Sequence, residues 1–396
     1  MSLSDIWKKT PEQLEGKLVH QVLAFAGDGK LRDDNETSKD FRSLLAHVPS
    51  QTLVDYSNQC LTDSFKDSGL VLQDIANQVG HRLGFSVTPG RYRGTSKEED
   101  VGFDGLWIGP DGDAIVIEVK TTDAYRLSLD TAANYRKALI KKGEIKEENS
   151  SVLYVVGRND TGDLEAQVRG SRHAWEIRII SIDALLRLMK LKEELEDQAI
   201  MGKIRDVLMP QEFTRVDGII ELVFSAAEEV KQEESEFELE PDSTEPEEGK
   251  KKFTPVAFRQ ACIDRISRLM DETLVKRTAA IFATPDEETA VYCAISRTYE
   301  KASGAGYWFA FHPEQKETLE KYPISFVCFG CGSEKQILKF PAGDFYQWLE
   351  FFNKTESEER YYWHVHIHRE GEAWRIHTKQ EFEPIDVTSS LLLDPA

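Results

Sequence analysis

Residues 101–120 have the sequence VGFDGLWIGPDGDAIVIEVK, which predicts a β-hairpin. Residues 102–108 form an apolar stretch typical of a strand, and residues 114–120 form a second strand rich in β-branched side chains. Between them, residues 110–112 have the sequence PDG. Proline presets the φ of a tight turn, aspartate suits the next position, and glycine takes the left-handed site that closes a three-residue loop.

The length of the turn determines which residues face each other across the hairpin. In a three-residue loop Gly109 lies opposite Asp113, and counting outward places Asp104 directly opposite Glu118. Glu118 and Lys120 share a face because strand side chains alternate with a period of two. We therefore expect Asp104, Glu118 and Lys120 to converge on one side of the hairpin. A two-residue loop would instead place Asp104 on the opposite face.

Two carboxylates and an ammonium group on one strand face are costly to bury unless they pair with each other or bind a cation. Carboxylate oxygens suit a hard divalent ion such as Mg²⁺, which keeps several of its waters. The alternative interpretation is a half-exposed hairpin with an ordinary salt bridge. The apolar neighbours of Asp104 and Glu118 favour the metal site.

Asp104 followed by residues 118–120, with the sequence EVK, resembles the signature of the PD-(D/E)XK nuclease superfamily. The sequence departs from the family name at Phe103, which stands where the name has proline. The resemblance covers roughly residues 69–182. It implies an α/β restriction-endonuclease-like fold, in which a mixed central sheet is flanked by helices, and it implies metal-dependent hydrolysis of phosphodiester bonds.

The resemblance also implies a role for each residue of the motif. Asp104 and Glu118 would hold Mg²⁺, or Mn²⁺ in its place, and the Val119 carbonyl would be a further ligand. Lys120 would orient or polarise the attacking water. Cleavage would then leave a 5′-phosphate.

A predicted helix that ends near Leu83 precedes the hairpin. In the Mrr-like restriction enzymes of this superfamily, that helix often carries a glutamate that reaches the metal. The corresponding position is Gln73, whose amide oxygen is a neutral donor, and the adjacent Asp74 is the alternative. A solvated helix face would explain both residues without a metal.

The elements around the hairpin follow the order of the core of that nuclease fold, α-β-β-β-α-β-α-β. The patterns of apolar residues and turn signals predict them. They are a helix at 69–83, a strand at 85–87, the hairpin, a helix from Asp130 or Thr131 to Lys142, a strand at 152–156, a helix at 164–170 and a strand at 177–182.

Candidate nucleic-acid contacts lie on two segments near the hairpin. One is the polar loop 89–100, whose basic residues suit phosphate groups. The other is the helix after the hairpin, where such nucleases can place helper residues. An ordinary exposed loop and helix surface is the alternative. The candidates are Arg91, Arg93, Lys97, Tyr135 and Arg136.

The net charge of −21 argues against a uniformly basic nucleic-acid-binding protein, but the charge is unevenly distributed. Residues 228–248 carry one lysine and eleven acidic residues, and so hold nearly half of the excess. This composition predicts a disordered or extended linker. The flanking regions are close enough to neutral for an enzyme that binds DNA through a local basic surface.

We therefore expect four regions: a helical N-terminal extension at residues 1–66, a nuclease domain at 67–224, an acidic linker at 225–252 and a separate α+β domain at 253–396. Five cysteines without a framework of spacings predict a reducing cytoplasm. No apolar run approaches the roughly 20 residues needed to span a membrane, and no signal peptide is visible. Cleavage of both DNA strands needs two sites, which predicts a homodimer.

The C-terminal region contains a second candidate metal site. Cys328 and Cys331 form a C-x-x-C, and together with His364 and His366 they offer a ligand set for Zn²⁺. Because Cys328 lies in an apolar strand and no second C-x-x-C is present in the sequence, cysteines of the core are the favoured interpretation.

Three histidines, His364, His366 and His368, alternate along one predicted strand of this region. With nearby aromatic and basic residues they would form a DNA-reading surface suited to flipped or single-stranded bases. An exposed strand face is the alternative. The neighbours in question are Tyr361, Trp363, Arg369 and Trp374.

The sequence as a whole predicts a Mg²⁺-dependent DNA endonuclease of the restriction or defence type, whose C-terminal domain recognises the target. One alternative is a nuclease of DNA repair or recombination, for which the chemistry is the same. Another is a non-catalytic nucleic-acid-binding scaffold with the same fold. The intact set of Asp104, Glu118 and Lys120 argues against the scaffold.

Overall fold

The computed structural model describes residues 2–63, 65–92, 102–121, 126–157, 162–195, 198–209, 255–301, 304–356 and 361–393. The chain divides into two compact units, residues 1–194 with 199–225, and residues 195–198 with 226–396. The acidic linker expected at 225–252 lies outside the described residues. In the described part of the chain, no helix combines the length and the apolar character needed to cross a membrane.

The first unit begins with short helices. A single helix over residues 11–25 would fit the helical N-terminal extension expected at residues 1–66. The chain instead forms one 3₁₀ turn, Pro11–Gln13, and a separate helix, because Gly16 adopts a left-handed conformation (φ +68°) that a continuous helix excludes. The helices of this region are α1 (Leu3–Lys9), α2 (Val19–Leu23), α3 (Glu36–His47) and α4 (Ser50–Thr62).

The elements that follow confirm the predicted order α-β-β-β-α-β-α-β. Several boundaries differ by a few residues: the first hairpin strand begins at Gly105 rather than at residue 102, the helix after the hairpin begins directly after Ser128 rather than at Asp130 or Thr131, and the next helix begins at Gly162 rather than at residue 164. The elements are α5 (Ser68–Arg82), β1 (Ser86–Pro89), β2 (Gly105–Ile108), β3 (Ala114–Lys120), α6 (Leu129–Lys142), β4 (Ser150–Val156), α7 (Gly162–Arg169), β5 (Ile177–Ser181), α8 (Ile182–Glu193) and α9 (Gln198–Asp206).

The five strands form one mixed sheet in the order β1-β2-β3-β4-β5. The β1–β2 and β2–β3 pairs are antiparallel, whereas β3–β4 and β4–β5 are parallel. The fold is therefore mixed α/β, with β3 at the centre of the sheet. A central strand is well suited to fix the side chains at its end, because hydrogen bonds hold it on both sides.

Helices cover both faces of this sheet. On one face α5 packs so closely on Trp107 that a Cβ added at Gly80 would come within 2.5 Å of the indole ring. On the other face, α6 and α7 contribute Leu139 and Leu164 to a core that includes Val116 of β3. The side chains at the end of β3 thus emerge at the border of a buried apolar core.

The hairpin has the predicted register. Gly105 pairs with Ile117, and the Gly109 N–H donates to the Asp113 carbonyl at 2.8 Å, which continues the ladder to the turn. Gly112 takes the left-handed conformation with φ +86°. The same count outward from Gly105 sets Asp104 opposite Glu118, so the three-residue loop is confirmed.

A buried polar cluster connects α4, one of the N-terminal helices, to α5 and α8. The Arg82 guanidinium on α5 donates to Ser50 Oγ of α4 at 2.6 Å, and Ser50 Oγ donates to Glu193 Oε1 of α8 at 2.6 Å. Arg82 and Glu193 are both almost fully buried. Residues 1–66 therefore pack as part of the first unit.

The second unit is α+β, as expected. Its helices are α10 (Pro255–Met270), α11 (Pro313–Leu319) and α12 (Ala342–Trp348). Its strands are β6 (Val275–Lys276), β7 (Ile281–Ala283), β8 (Thr289–Ser296), β9 (Tyr299–Lys301), β10 (Gly304–Phe311), β11 (Ile324–Cys331), β12 (Ile337–Pro341), β13 (Lys354–Glu356), β14 (Tyr361–Glu370), β15 (Ala373–His377) and β16 (Ile385–Asp386).

These strands form two sheets that share one core. The first sheet has the order β12-β11-β8-β7-β6, and the second has the order β16-β15-β14-β10-β9 with β13 beside β14. Phe329 of the first sheet packs with Phe309 and Val365 of the second. On its other face the first sheet is covered by α10, which contributes Ile263 and Ile266.

Candidate active site

The carboxylates and the ammonium group of the hairpin meet where β3 ends. Asp104 Oδ2 accepts a hydrogen bond from the Val119 main-chain N–H at 2.7 Å. Lys120 Nζ lies 2.5 Å from Glu118 Oε1. The predicted convergence of Asp104, Glu118 and Lys120 is therefore confirmed as a geometry. The central position of β3 and the tight turn before it explain why the three side chains share one face.

The electrostatics of this cluster leave negative charge without compensation. Burial, and after it the neighbouring charge of Glu118, raises the pKa of Asp104 to about 7. The Val119 N–H and Lys120 act in the opposite direction and do not offset the burial. Glu118 Oε2 is buried and has no hydrogen-bond partner among the described residues. A bound cation would satisfy both observations.

The donor atoms of the cluster suit a hard cation. Two carboxylates and the main chain of Val119 offer oxygen ligands, which Mg²⁺ and Mn²⁺ accept. In the described residues no group of three or more histidine, cysteine, aspartate or glutamate side chains forms a metal site. The ligand set would therefore consist of Asp104, Glu118, the Val119 carbonyl and water, as is common for Mg²⁺.

The main chain of Asp104 is held by three donors. Its carbonyl oxygen accepts hydrogen bonds from Gln73 Nε2 at 3.0 Å, from Asn77 Nδ2 at 2.9 Å and from the Gly90 N–H at 2.9 Å. Asn77 Oδ1 in turn accepts from Trp107 Nε1 at 3.0 Å. Gln73 thus contacts the backbone of Asp104 through its amide nitrogen.

Asn77 was missed at the level of the sequence. A signal for it exists, because Asn77 follows Gln73 by four residues and so lies one turn further on the same helix face. Both amides are almost fully buried on α5. Two buried side-chain amides one helical turn apart indicate that they bond a nearby main-chain group, which here is the carbonyl of Asp104.

Asp74 takes part in a different network. Its carboxylate accepts hydrogen bonds from Arg42 Nε at 2.8 Å and from the Tyr92 hydroxyl, and the Arg42 guanidinium lies 4.9 Å from the centre of the Tyr92 ring. Burial raises the pKa of Asp74 to about 6, although Arg42 and Tyr92 oppose this. Each carboxylate oxygen of Asp74 thus has a protein partner, and the network anchors the start of the loop that contains Arg91.

The candidate nucleic-acid contacts differ in their surroundings. Arg91 is exposed, whereas Arg93 and Lys97 lie outside the described residues. A Cβ added at Gly102 would lie 3.1 Å from the Tyr135 hydroxyl. The pKa of Tyr135 is raised mainly by burial and also by the charges of Glu118 and Asp104, so this side chain faces the carboxylates. Tyr135 therefore lies near the carboxylates of Glu118 and Asp104.

Arg136 requires a correction. It is 4% exposed, and its Nε donates to the Ser150 carbonyl at 3.0 Å while Nη1 lies 3.6 Å from Glu176 Oε2. Successive helix residues point about 100° apart, so Arg136 faces β4 while Tyr135 faces the carboxylates. Arg136 holds α6 against β4 rather than contacting nucleic acid.

The four candidate zinc ligands occupy three separate places in the second unit, because His364 and His366 lie together on one face of the second sheet. Cys328 packs against Ile263 beneath α10, whereas Cys331 belongs to the core between the two sheets. His364 lies on the second sheet, where its ring nitrogens contact Trp308 and Thr355. The spacing of the two cysteines in a strand places them on opposite faces.

The expected DNA-reading surface of the second unit also needs a correction. Trp374 is 1% exposed and stacks on Tyr307 in the core, so the expectation that it is part of an outer surface is wrong. Arg369 lies over the Trp374 ring at 5.6 Å, on the core side. His364, His366 and His368 do share the opposite face, as expected, because Val365 and Ile367 between them are buried.

Replacing Asn77 with alanine is expected to lower the free energy of unfolding by about 1–3 kcal/mol, because it leaves the buried Trp107 N–H without a partner. The measurement is urea unfolding of the whole chain. Asn58→Ala is the matched control, since Asn58 is exposed on α4. Equal stability of the two variants would show that the Asn77 amide does not hold this site together.

No family model matches this chain, and no curated protein matches its sequence. The cluster of Asp104, Glu118 and Lys120 is thus the feature from which a function can be inferred.

Proposed function

We propose that this protein is a Mg²⁺-dependent DNA endonuclease that hydrolyses phosphodiester bonds. The observation that carries the proposal is the meeting of Asp104, Glu118 and Lys120 at the end of a central strand. Glu118 Oε2, which is buried and has no hydrogen-bond partner in the described part of the chain, adds to it. Residues that function together at a site of this kind are expected on a rigid element, and β3 is bonded on both sides.

In this function Asp104, Glu118 and the Val119 carbonyl hold the metal. When bound, Mg²⁺ would lower the pKa of a water and stabilise negative charge on the transferred phosphate. The Val119 N–H keeps the Asp104 carboxylate in place. Lys120, held against Glu118 Oε1, orients the attacking water or donates to a phosphate oxygen, which stabilises the charge that develops there.

The biological setting is a proposal of the same kind. A restriction or defence nuclease would act in the cytoplasm, and the five cysteines, all free and buried, suit a reducing compartment. Two copies of the site would cut the two strands, so a homodimer is the expected active form. The second unit would select the target. A role in repair or recombination would use the same residues.

A second candidate function is a nucleic-acid-binding scaffold without catalysis. The observation that favours it is the Lys120–Glu118 contact, because this ion pair already neutralises one carboxylate without a metal. The raised pKa of Asp104 allows the other carboxylate to hold a proton instead. In a scaffold the cluster would be satisfied by these two means alone.

The two functions differ in their response to metal. The nuclease is expected to nick or cut plasmid DNA with Mg²⁺ or Mn²⁺, and EDTA should abolish the cutting. Calorimetry should detect Mg²⁺ binding that Asp104→Asn removes. A wild-type chain that neither binds these ions nor cuts plasmid, single-stranded DNA or RNA would refute the nuclease and favour the scaffold.

A further inference from the structure

The outer face of the second sheet of the C-terminal unit has an unusual composition. Solvated faces of antiparallel sheets are normally polar. Here ring side chains occupy β10, β14 and β15, and each is partly exposed. Among the described elements these strands contact mainly other strands rather than a helix. We call this surface the ring face and define it by Trp308, Tyr362, His364, His366, His368 and His377.

The strand register places three of these rings in one row. Trp308 of β10 lies directly opposite His366 of β14, and His366 lies directly opposite His377 of β15. The rings of His368 and His377 approach to 4.0 Å between centroids. Tyr362 packs edge-on to Trp308 at 6.4 Å. The rings therefore form a continuous surface across three strands rather than a set of isolated exposed residues.

Trp308 is held in a fixed orientation. Its Nε1–H donates to His364 Nδ1 at 3.2 Å, and His364 Nε2 lies 2.8 Å from Thr355 Oγ1. Because an indole nitrogen can only donate, His364 Nδ1 must accept, so His364 is neutral and carries its proton on Nε2. Partial burial lowers the pKa of His364, in agreement with that state. The chain Thr355–His364–Trp308 thus orients the indole before any ligand arrives.

The ring face also offers polar and charged groups at its edge. His377 Nε2 is buried without a hydrogen-bond partner among the described residues. Arg375 is exposed opposite His368, although Glu370 lies 3.3 Å from it and compensates part of its charge. A ligand of this face should therefore combine flat aromatic surfaces with hydrogen-bonding edges.

We propose that the ring face binds unpaired nucleobases by stacking. Every base has a flat π surface, and aromatic side chains on a sheet bind unpaired bases without strong sequence preference. Oriented rings lose little conformational entropy on binding, which favours Trp308 as the central contact. The inference deepens the proposed function and rests on it for the choice of nucleic acid as ligand, because it makes single-stranded or flipped bases the target of the second unit.

The test measures binding separately from cleavage. Full-length Asp104→Asn protein is titrated into fluorescein-labelled oligo-dT, oligo-rU and a duplex of the same length, and anisotropy is recorded. We expect both single strands to bind more tightly than the duplex. In this background Trp308→Ala should weaken single-strand binding by about 5- to 150-fold, and Tyr362→Ala should weaken it to a smaller extent. A preference between dT and rU identifies the natural strand.

Phe382→Ala is the matched control, because Phe382 is a 43% exposed aromatic residue of the same unit outside the ring face. It should bind like the parent, and thermal unfolding should show all three variants folded. Unchanged affinity in both Trp308→Ala and Tyr362→Ala would overturn the inference. The inference would also be overturned if Trp308→Ala and Tyr362→Ala changed the sedimentation coefficient of the protein but not its affinity for single strands. The ring face would then contact a second copy of the chain. A wild-type chain that binds single strands but cuts neither DNA nor RNA with Mg²⁺ would refute the nuclease alone.

Discussion

Lys120→Ala is expected to lower the rate of DNA cleavage by about 10²–10³-fold while Mg²⁺ binding persists, because in the proposed function Lys120 would stabilise charge in the transition state and would not be a metal ligand. Asp104→Asn is expected to lose both cleavage and Mg²⁺ binding, since it removes a ligand. Single-turnover cleavage of plasmid, together with calorimetric titration of Mg²⁺, separates the two effects.

Two exposed residues provide matched controls for these variants. Asp111 lies in the turn of the same hairpin, and Lys141 lies at the end of α6. Asp111→Asn and Lys141→Ala change the charge by the same amounts without touching the cluster, so both should cut like the wild type. Cleavage by Lys120→Ala at the wild-type rate would contradict the assignment of Lys120, whatever the outcome for Asp104.

The hairpin is predictable from the sequence because its geometry depends on local chemistry. Glycine at position 112 closes a three-residue loop, and the strict alternation of strand side chains then carries the register outward to Asp104 and Glu118. The order of helices and strands is predictable for a similar reason, since apolar periodicity reflects which face each element buries. The proposed metal ligands all belong to this hairpin, so the same local geometry sets their relative positions.

The supports of the cluster depend on contacts between distant segments, which periodicity does not show. Arg42 and Tyr92 meet Asp74 only because α3, α5 and the loop after β1 pack together. Tyr135 and Arg136 of α6 show the same difficulty. Predicting that Tyr135 faces the carboxylates and Arg136 does not requires the exact rotation of the helix about its axis. In the second unit, the alternation of side chains along each strand likewise decides which aromatic rings enter the core.

The same residues that suit the site for a cation are expected to destabilise the fold when no cation is bound. Asp104 and Glu118 lie opposite each other and partly buried, and one lysine contacts Glu118. Burial without full compensation costs free energy, and binding sites commonly tolerate such a cost in exchange for function. The cost should be measurable as a pH-dependent difference between the wild type and a variant that cannot ionise at position 104.

Asp104→Asn is expected to be more stable than the wild type at pH 8 without metal, by about 1–3 kcal/mol in the free energy of unfolding. The pKa of Asp104 is about 7 in the folded chain and near 3.8 when unfolded. Between these values the folded wild type holds the extra proton, so its stability falls as the pH rises and the deficit is complete above pH 7.

Thermal or urea unfolding from pH 4 to 8 measures this difference directly. The gap between Asp104→Asn and the wild type should be small near pH 4, widen through pH 7 and then stay constant, whereas Asp111→Asn should show no such trend. Added Mg²⁺ should stabilise the wild type at pH 8 by mass action and leave Asp104→Asn unchanged. The opposite outcome is an Asp104→Asn protein that is less stable than the wild type by the same amount at every pH. It would mean that the Asp104 carboxylate is a structural anchor for the Val119 N–H and that its charge is fully compensated without a metal.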